Sequence, residues 1–151
     1  SNSEDIINWS RLLFQSNAVL SDKQKKDLES LICEDKKSAC FGQPVSTLDS
    51  SCRNGYGLGI SGEYAGKGAG IVWNYTGEDP GYLASFYLWP KYNIDVAIQR
   101  DTDTDGDSSH INDLYNHVMT ILLKKDLNSD LSPSISTPQK RNNATLILID
   151  L

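Results

Sequence analysis

Residues 74–82 read Asn-Tyr-Thr-Gly-Glu-Asp-Pro-Gly-Tyr. The run sets a hydroxyl that both donates and accepts hydrogen bonds, Thr76, beside a glycine, Gly77, at the mouth of a strand hairpin. No nucleophile accompanies it. The chain contains no G-x-S-x-G, no S-x-x-K and no Y-x-N. Ser61 and His110 are too far apart in sequence to be paired by spacing. A second candidate is Asp101-Thr102-Asp103-Thr104-Asp105-Gly106-Asp107. Oxygens at loop positions one, three and five with Gly at six match the start of a calcium loop, so Asp101, Asp103, Asp105 and Asp107 are candidate metal ligands. The twelfth position is Asn112, where a bidentate Glu is wanted. The competing reading is an acidic strand-to-helix turn whose carboxylates favour a helix N-terminus.

Other chemistry is weaker. Gly62 to Gly68 is one residue short of a phosphate loop, and Gly68 stands where Ser or Thr must hold magnesium. His110 and His117 share a helix face without a third ligand and read as ordinary surface or boundary residues. Asn74 and Asn143 each open an N-glycosylation acceptor pattern, which is short and common. Cys33, Cys40 and Cys52 lack the C-x-x-C spacing of a zinc site. Cys33–Cys52, Cys40–Cys52 and three reduced thiols all remain open readings.

The elements that must position these residues follow from pattern. Ser3 is the expected cap of a first helix, with acids in its first turn and Ile6, Trp9, Leu12 and Leu13 as its apolar face. Ser21 and Gln24 form a capping box for a second helix lined by Leu28, Leu31 and Ile32. Residues 34–54 read as loop and residues 55–60 as a Gly-laced strand, where glycines mark close backbone approach. Strands follow over residues 71–74, 82–89 and 94–99, the last two antiparallel across Pro90-Lys91-Tyr92-Asn93. Ser108 or Ser109 caps a helix to about Lys125, with Ile111, Leu114, Tyr115, Val118, Ile121 and Leu122 on one face. Residues 128–143 read as a linker. Residues 144–151 form an apolar tail expected to cover a sheet edge, in this chain or another.

The 151 residues suit one domain, and 38% apolar content is enough for a core. A net charge of −6 without a basic face argues against nucleic acid, and no apolar run has the length of a membrane span. The chain opens in polar residues with no leader pattern and no initiator Met, which reads as an excised or processed segment.

The order of these pieces carries a resemblance. A helix with Glu4-Asp5 and Trp9 is followed by a helix opening Leu20-Ser21-Asp22. Gly55-Tyr56-Gly57-Leu58-Gly59 comes next, then Tyr75-Thr76-Gly77, then Pro80-Gly81-Tyr82, a long hairpin and a closing helix. Over about residues 3–125 this resembles the C-terminal part of the serine β-lactamase and D-alanyl-D-alanine carboxypeptidase family, in its class C-like branch with D-aminopeptidases and esterases. The resemblance implies an α+β fold, a small antiparallel sheet with packed helices, over residues 1–127. It implies that Tyr75, Thr76 and Gly77 are the family's third motif and bind substrate, with the Glu78 amide donating to the oxyanion hole. Tyr75 stands where the family carries Lys or His. A phenol is neutral near pH 7, so a neutral ester or amide fits better than an anionic substrate. The nucleophile-bearing motifs are absent, so this chain alone is expected to be inactive. The resemblance also implies a periplasmic or secreted location. It leaves the edge at residues 94–99 bare, to be covered by the tail through exchange between two copies, as a homodimer. The rival expectation is a non-catalytic binding or scaffold module holding calcium on residues 101–107.

Overall fold

The computed structural model describes residues 2–66, 69–101 and 113–121, together with the backbone of residues 145–150. The architecture is α+β. Helices α1 (Ser3–Phe14), α2 (Asp22–Leu28) and α3 (113–121) pack on one eight-stranded sheet. The strands are β1 (Leu31–Cys33), β2 (Pro44–Val45), β3 (Asn54–Tyr56), β4 (Ser61–Tyr64), β5 (Ile71–Asp79), β6 (Tyr82–Trp89), β7 (Ile94–Arg100) and β8 (Thr145–Asp150), in spatial order β2-β1-β3-β4-β5-β6-β7-β8. Every neighbouring pair is antiparallel except β7 and β8. A parallel neighbour requires a crossover, and the chain between β7 and β8 includes α3.

Helix α1 starts one residue earlier than its serine suggests. Asn2 is the cap, bonded in a reciprocal box with Asp5, while Ser3 lies inside the helix and is buried. The expected apolar stripe is also displaced. Trp9 and Leu12 are exposed, and the buried face is Ser3, Ile7 and Ser10. Small side chains on that face let α1 lie close over β6, β7 and β8. Ala97 beneath it is fully buried. The Ser21–Gln24 capping box of α2 forms as its sequence requires. Leu31 and Ile32, however, leave that helix for β1, because Leu31 and Cys33 face the core while Ile32 points outward.

The segment read as loop contains β2, and Asp49 and Cys52 form an isolated bridge. The Gly-laced run forms strand only to Tyr56. It then turns, with Gly59 at φ 77°, and returns as β4. Within that run Gly55 and Gly57 do mark close approach, whereas a Cβ on Gly59 would meet nothing within 4 Å. A Cβ on Gly57 would stand 2.8 Å from the carbonyl oxygens of Leu28 and Ser30, and one on Gly62 would stand 2.9 Å from Leu48 Cδ1.

Strand β5 turns into β6 through Pro80-Gly81, with Gly81 at φ 88°, as a type II turn needs. The two faces of the sheet carry separate cores. On one, Leu31, Leu48, Ile60, Trp73 and Leu88 pack around the Cys33–Cys52 disulfide, and Phe14 of α1 stacks on Trp73 at 6.0 Å between ring centres. On the other, Val72, Leu83, Tyr87, Val96 and Ile98 meet Leu114, Tyr115, Val118 and Met119 of α3. Ile121, expected on that helix face, is exposed. Its expected neighbours Ile111 and Leu122, the caps Ser108 and Ser109, and the linker at 128–143 lie outside the described residues.

Candidate functional site: an open strand edge and groove

The pleat of β5 divides the Tyr75-Thr76-Gly77 triplet. Successive side chains in a strand point to opposite faces. Trp73 is in the α1-side core, so Tyr75 and Gly77 point to the α1 side, and Thr76 and Glu78 point to the α3 side. All of Tyr75–Asp79 is exposed. Thr76 is therefore not packed in the interior. Its hydroxyl lies 2.7 Å from that of Ser85, its register partner on β6. Both hydroxyls reach the phenol of Tyr87, whose titration burial pushes up and these two bonds partly restore. Tyr115 stacks on Tyr87 at 3.8 Å between ring centres, and its own titration is raised by burial and then by Glu63. Ser85 is 1% exposed, so it supports Thr76 and cannot meet a substrate.

The backbone of the same segment is open. Strand β4 pairs with β5 only from Ile71 to Asn74. Beyond Asn74, among the described residues, no strand pairs with that edge. In a two-residue hairpin the residues flanking the turn exchange hydrogen bonds, and pairs then alternate. Asp79 and Tyr82 flank the Pro80-Gly81 turn, so Asp79, Gly77 and Tyr75 bond toward β6. Thr76 and Glu78 consequently present their N–H and C=O groups to the open edge. Tyr56 stands beside this edge with its ring 6.5 Å from that of Tyr75.

A groove of about 630 Å³ adjoins the edge on the α1 side. Its floor is a row of short or polar residues in register, Gly77, Ala84 and Gln99, and Asn2 at the start of α1 forms one wall. A Cβ on Gly77 would meet nothing within 4 Å, so the groove floor is bare there. Asp79 and Asp101 line it, and Glu78 and Arg100 border it from positions whose side chains alternate to the other face, so its surroundings are acidic on balance. Such a lining disfavours an anionic ligand. Sequence reasoning missed Ala84 and Gln99. The available signal was the pair of small residues, Ala84 and Ser85, in the otherwise bulky run Tyr82–Trp89.

The remaining candidates separate. Asp101 is exposed at the end of β7, whereas Asp103, Asp105, Asp107 and His110 lie outside the described residues. His117 is exposed on α3, with Nδ1 3.0 Å from the carbonyl oxygen of Asp113. Of the open cysteine readings, the structure has Cys33–Cys52 bridged and Cys40 free. The three sulfurs lie within 4.8 Å of one another, but a bridged pair offers no thiolate to a metal. No helix among the described residues is long and apolar enough to cross a membrane. No protein-family model matches this chain, and comparison with curated proteins and with solved structures gives no match.

Proposed function

We propose that this chain is the ligand-gripping part of a serine hydrolase related to β-lactamases and DD-carboxypeptidases, with its nucleophile on polypeptide outside these 151 residues. The observation that carries this reading is the open edge of β5 at Tyr75–Asp79. An extended ligand adds to such an edge as a further strand, through main-chain hydrogen bonds. The Glu78 N–H, facing that edge, is the oxyanion donor of this reading, and Thr76 contributes its edge-facing backbone groups, its hydroxyl being turned to the α3 side and bonded to Ser85 and Tyr87. The bare floor at Gly77 admits the ligand's flat backbone. Tyr75 and the acidic groove favour an uncharged ester or amide over a free carboxylate. The Cys33–Cys52 bridge is the chemistry of an oxidising compartment, in keeping with a periplasmic or secreted protein.

The test is an amide-resolved NMR titration of the chain with an uncharged dipeptide ester, acetyl-D-alanyl-D-alanine methyl ester. Shifts should concentrate at Thr76, Gly77 and Glu78. A fluorescent penicillin mixed with the same chain should leave its mass unchanged. A covalent adduct on this chain alone, or ligand shifts that avoid β5, would overturn the reading.

A further inference from the structure

The backbone folds Cys40 back onto the disulfide. The turn after β1 closes through Cys33 itself, whose N–H donates to the Gln43 carbonyl at 3.0 Å and whose carbonyl accepts from the Gly42 N–H at 2.9 Å. Gly42 takes φ 74°, which favours glycine, and the Gln43 N–H donates to the Cys40 carbonyl at 2.9 Å. This closure leaves Cys40 Sγ 3.4 Å from Cys33 Sγ. Ser38 Oγ lies 2.8 Å from Cys40 Sγ, placed to donate to a thiolate there. Burial separates the three sulfurs. Cys33 is 1% exposed and Cys52 2%, while Cys40 is only half-buried. A small thiol in solution therefore has no direct path to the bridge but can reach Cys40.

We propose that Cys33, Cys40 and Cys52 form a thiol–disulfide exchange site in which Cys40 is the entry point for external thiols. Cys40 loses its proton to solvent, and its thiolate attacks Cys33 Sγ. The Cys33–Cys40 bond forms as the Cys33–Cys52 bond breaks, and Cys52 leaves as a thiolate that takes up a proton. Electrons balance without an outside oxidant, because one disulfide replaces another. An external thiol, of the glutathione class, then attacks Cys40 in the rearranged bridge and reduces it in two exchanges. The reverse sequence, with a glutathione-class disulfide, closes the bridge again. Exchange releases Cys52 from β1, together with the 46–53 segment, whose Leu48 packs against Gly62 of β4.

Two measurements decide this. The first is the linkage map of the untreated chain after acid quench, thiol blocking and digestion with trypsin and Asp-N. These enzymes cut at Lys36 and Lys37, between Cys33 and Cys40, and before Asp49, between Cys40 and Cys52. Raising the pH before the quench should produce a Cys33–Cys40 peptide beside the Cys33–Cys52 peptide. The second is the rate of bridge opening in limiting dithiothreitol. Cys40→Ser and Cys40→Ala should each slow it on the order of tenfold or more, because the relay through a nearby thiol is lost. Circular dichroism of both variants should match the parent, since neither removes the bridge. Exclusive Cys33–Cys52 linkage at every pH, or an opening rate unchanged in both variants, would overturn the proposal.

Discussion

Asp95 is 1% exposed on β7 and bonded to Arg11 Nε of α1, yet its Oδ1 and the Nη2 of Arg11 are buried with no hydrogen-bond partner among the described residues. Burial raises the carboxyl's titration above the ordinary range, and Arg11 offsets only part of that. The folded form therefore holds this proton more tightly than the unfolded chain does. The stabilisation linked to it is fully present below the ordinary carboxylate range and is lost as pH rises through the raised folded value. Thermal melts taken upward from about pH 4 should show this loss, and Asp95→Asn should flatten it. Breaking one side of the pair is a harsher change. Arg11→Met should cost about 3 kcal/mol in urea unfolding near neutral pH by leaving a buried charge uncompensated, and adding Asp95→Asn should recover most of it. A single mutant as stable as the parent would show that the pair is screened by solvent. Neither partner was visible as such in the sequence. Arg11 falls within the first helix pattern and Asp95 within the strand at 94–99, with nothing in either stretch to link them. They meet because α1 buries its serine face against Ala97 and its neighbours on β7.

The glycines of β4 and β5 have opposite meanings at the level of the strand. Gly62 lies under Leu48, Leu31 and Trp73, all within 3.2 Å of where a Cβ would stand, so Gly62→Ala overpacks a core and should cost about 1–3 kcal/mol. Gly77 has open space above it, and a β-branched residue suits an exposed strand. Gly77→Val should keep or raise the melting temperature while abolishing the ester-induced shifts at Thr76 and Glu78. A stable Gly77→Val variant that still binds would place the ligand away from the groove. The sequence alone marked close backbone approach in the run 55–60, which holds at Gly55 and Gly57 and fails at Gly59, a turn residue with open space around it. It could not show that the pairing of β4 with β5 ends at Ser61 and Asn74 and leaves the edge of β5 beyond it open, because strand partners are set by where the 57–60 turn returns.

For the molecule as a whole, the exposed flank is managed by β8. Ile94 to Gln99 pairs with Thr145 to Asp150 of the same chain, in parallel. Deleting residues 144–151 should uncover this edge of β7, and uncovered edges pair with other chains. Size-exclusion chromatography of the truncated chain should show a shift to dimers or larger species, with concentration dependence. A truncated chain that remains monomeric at high concentration would mean that another device protects the edge. Exchange of the tail between two copies uses the same pairing, and mixed isotopic labelling of the full chain would reveal it as contacts between unlike copies.

The sequence by itself determined the local events: the Ser21–Gln24 capping box, the Pro80-Gly81 turn, the β6–β7 hairpin and the α+β class. These depend on neighbours a few residues apart, whose hydrogen bonds and torsions are encoded in residue type. Tertiary structure alone decided which face α1 buries, that Leu31 and Ile32 become strand, which cysteines join, and which half of β5 stays unpaired. Each of those is a competition between distant segments for the same surface, and the winner follows from shape and burial summed over the whole sheet.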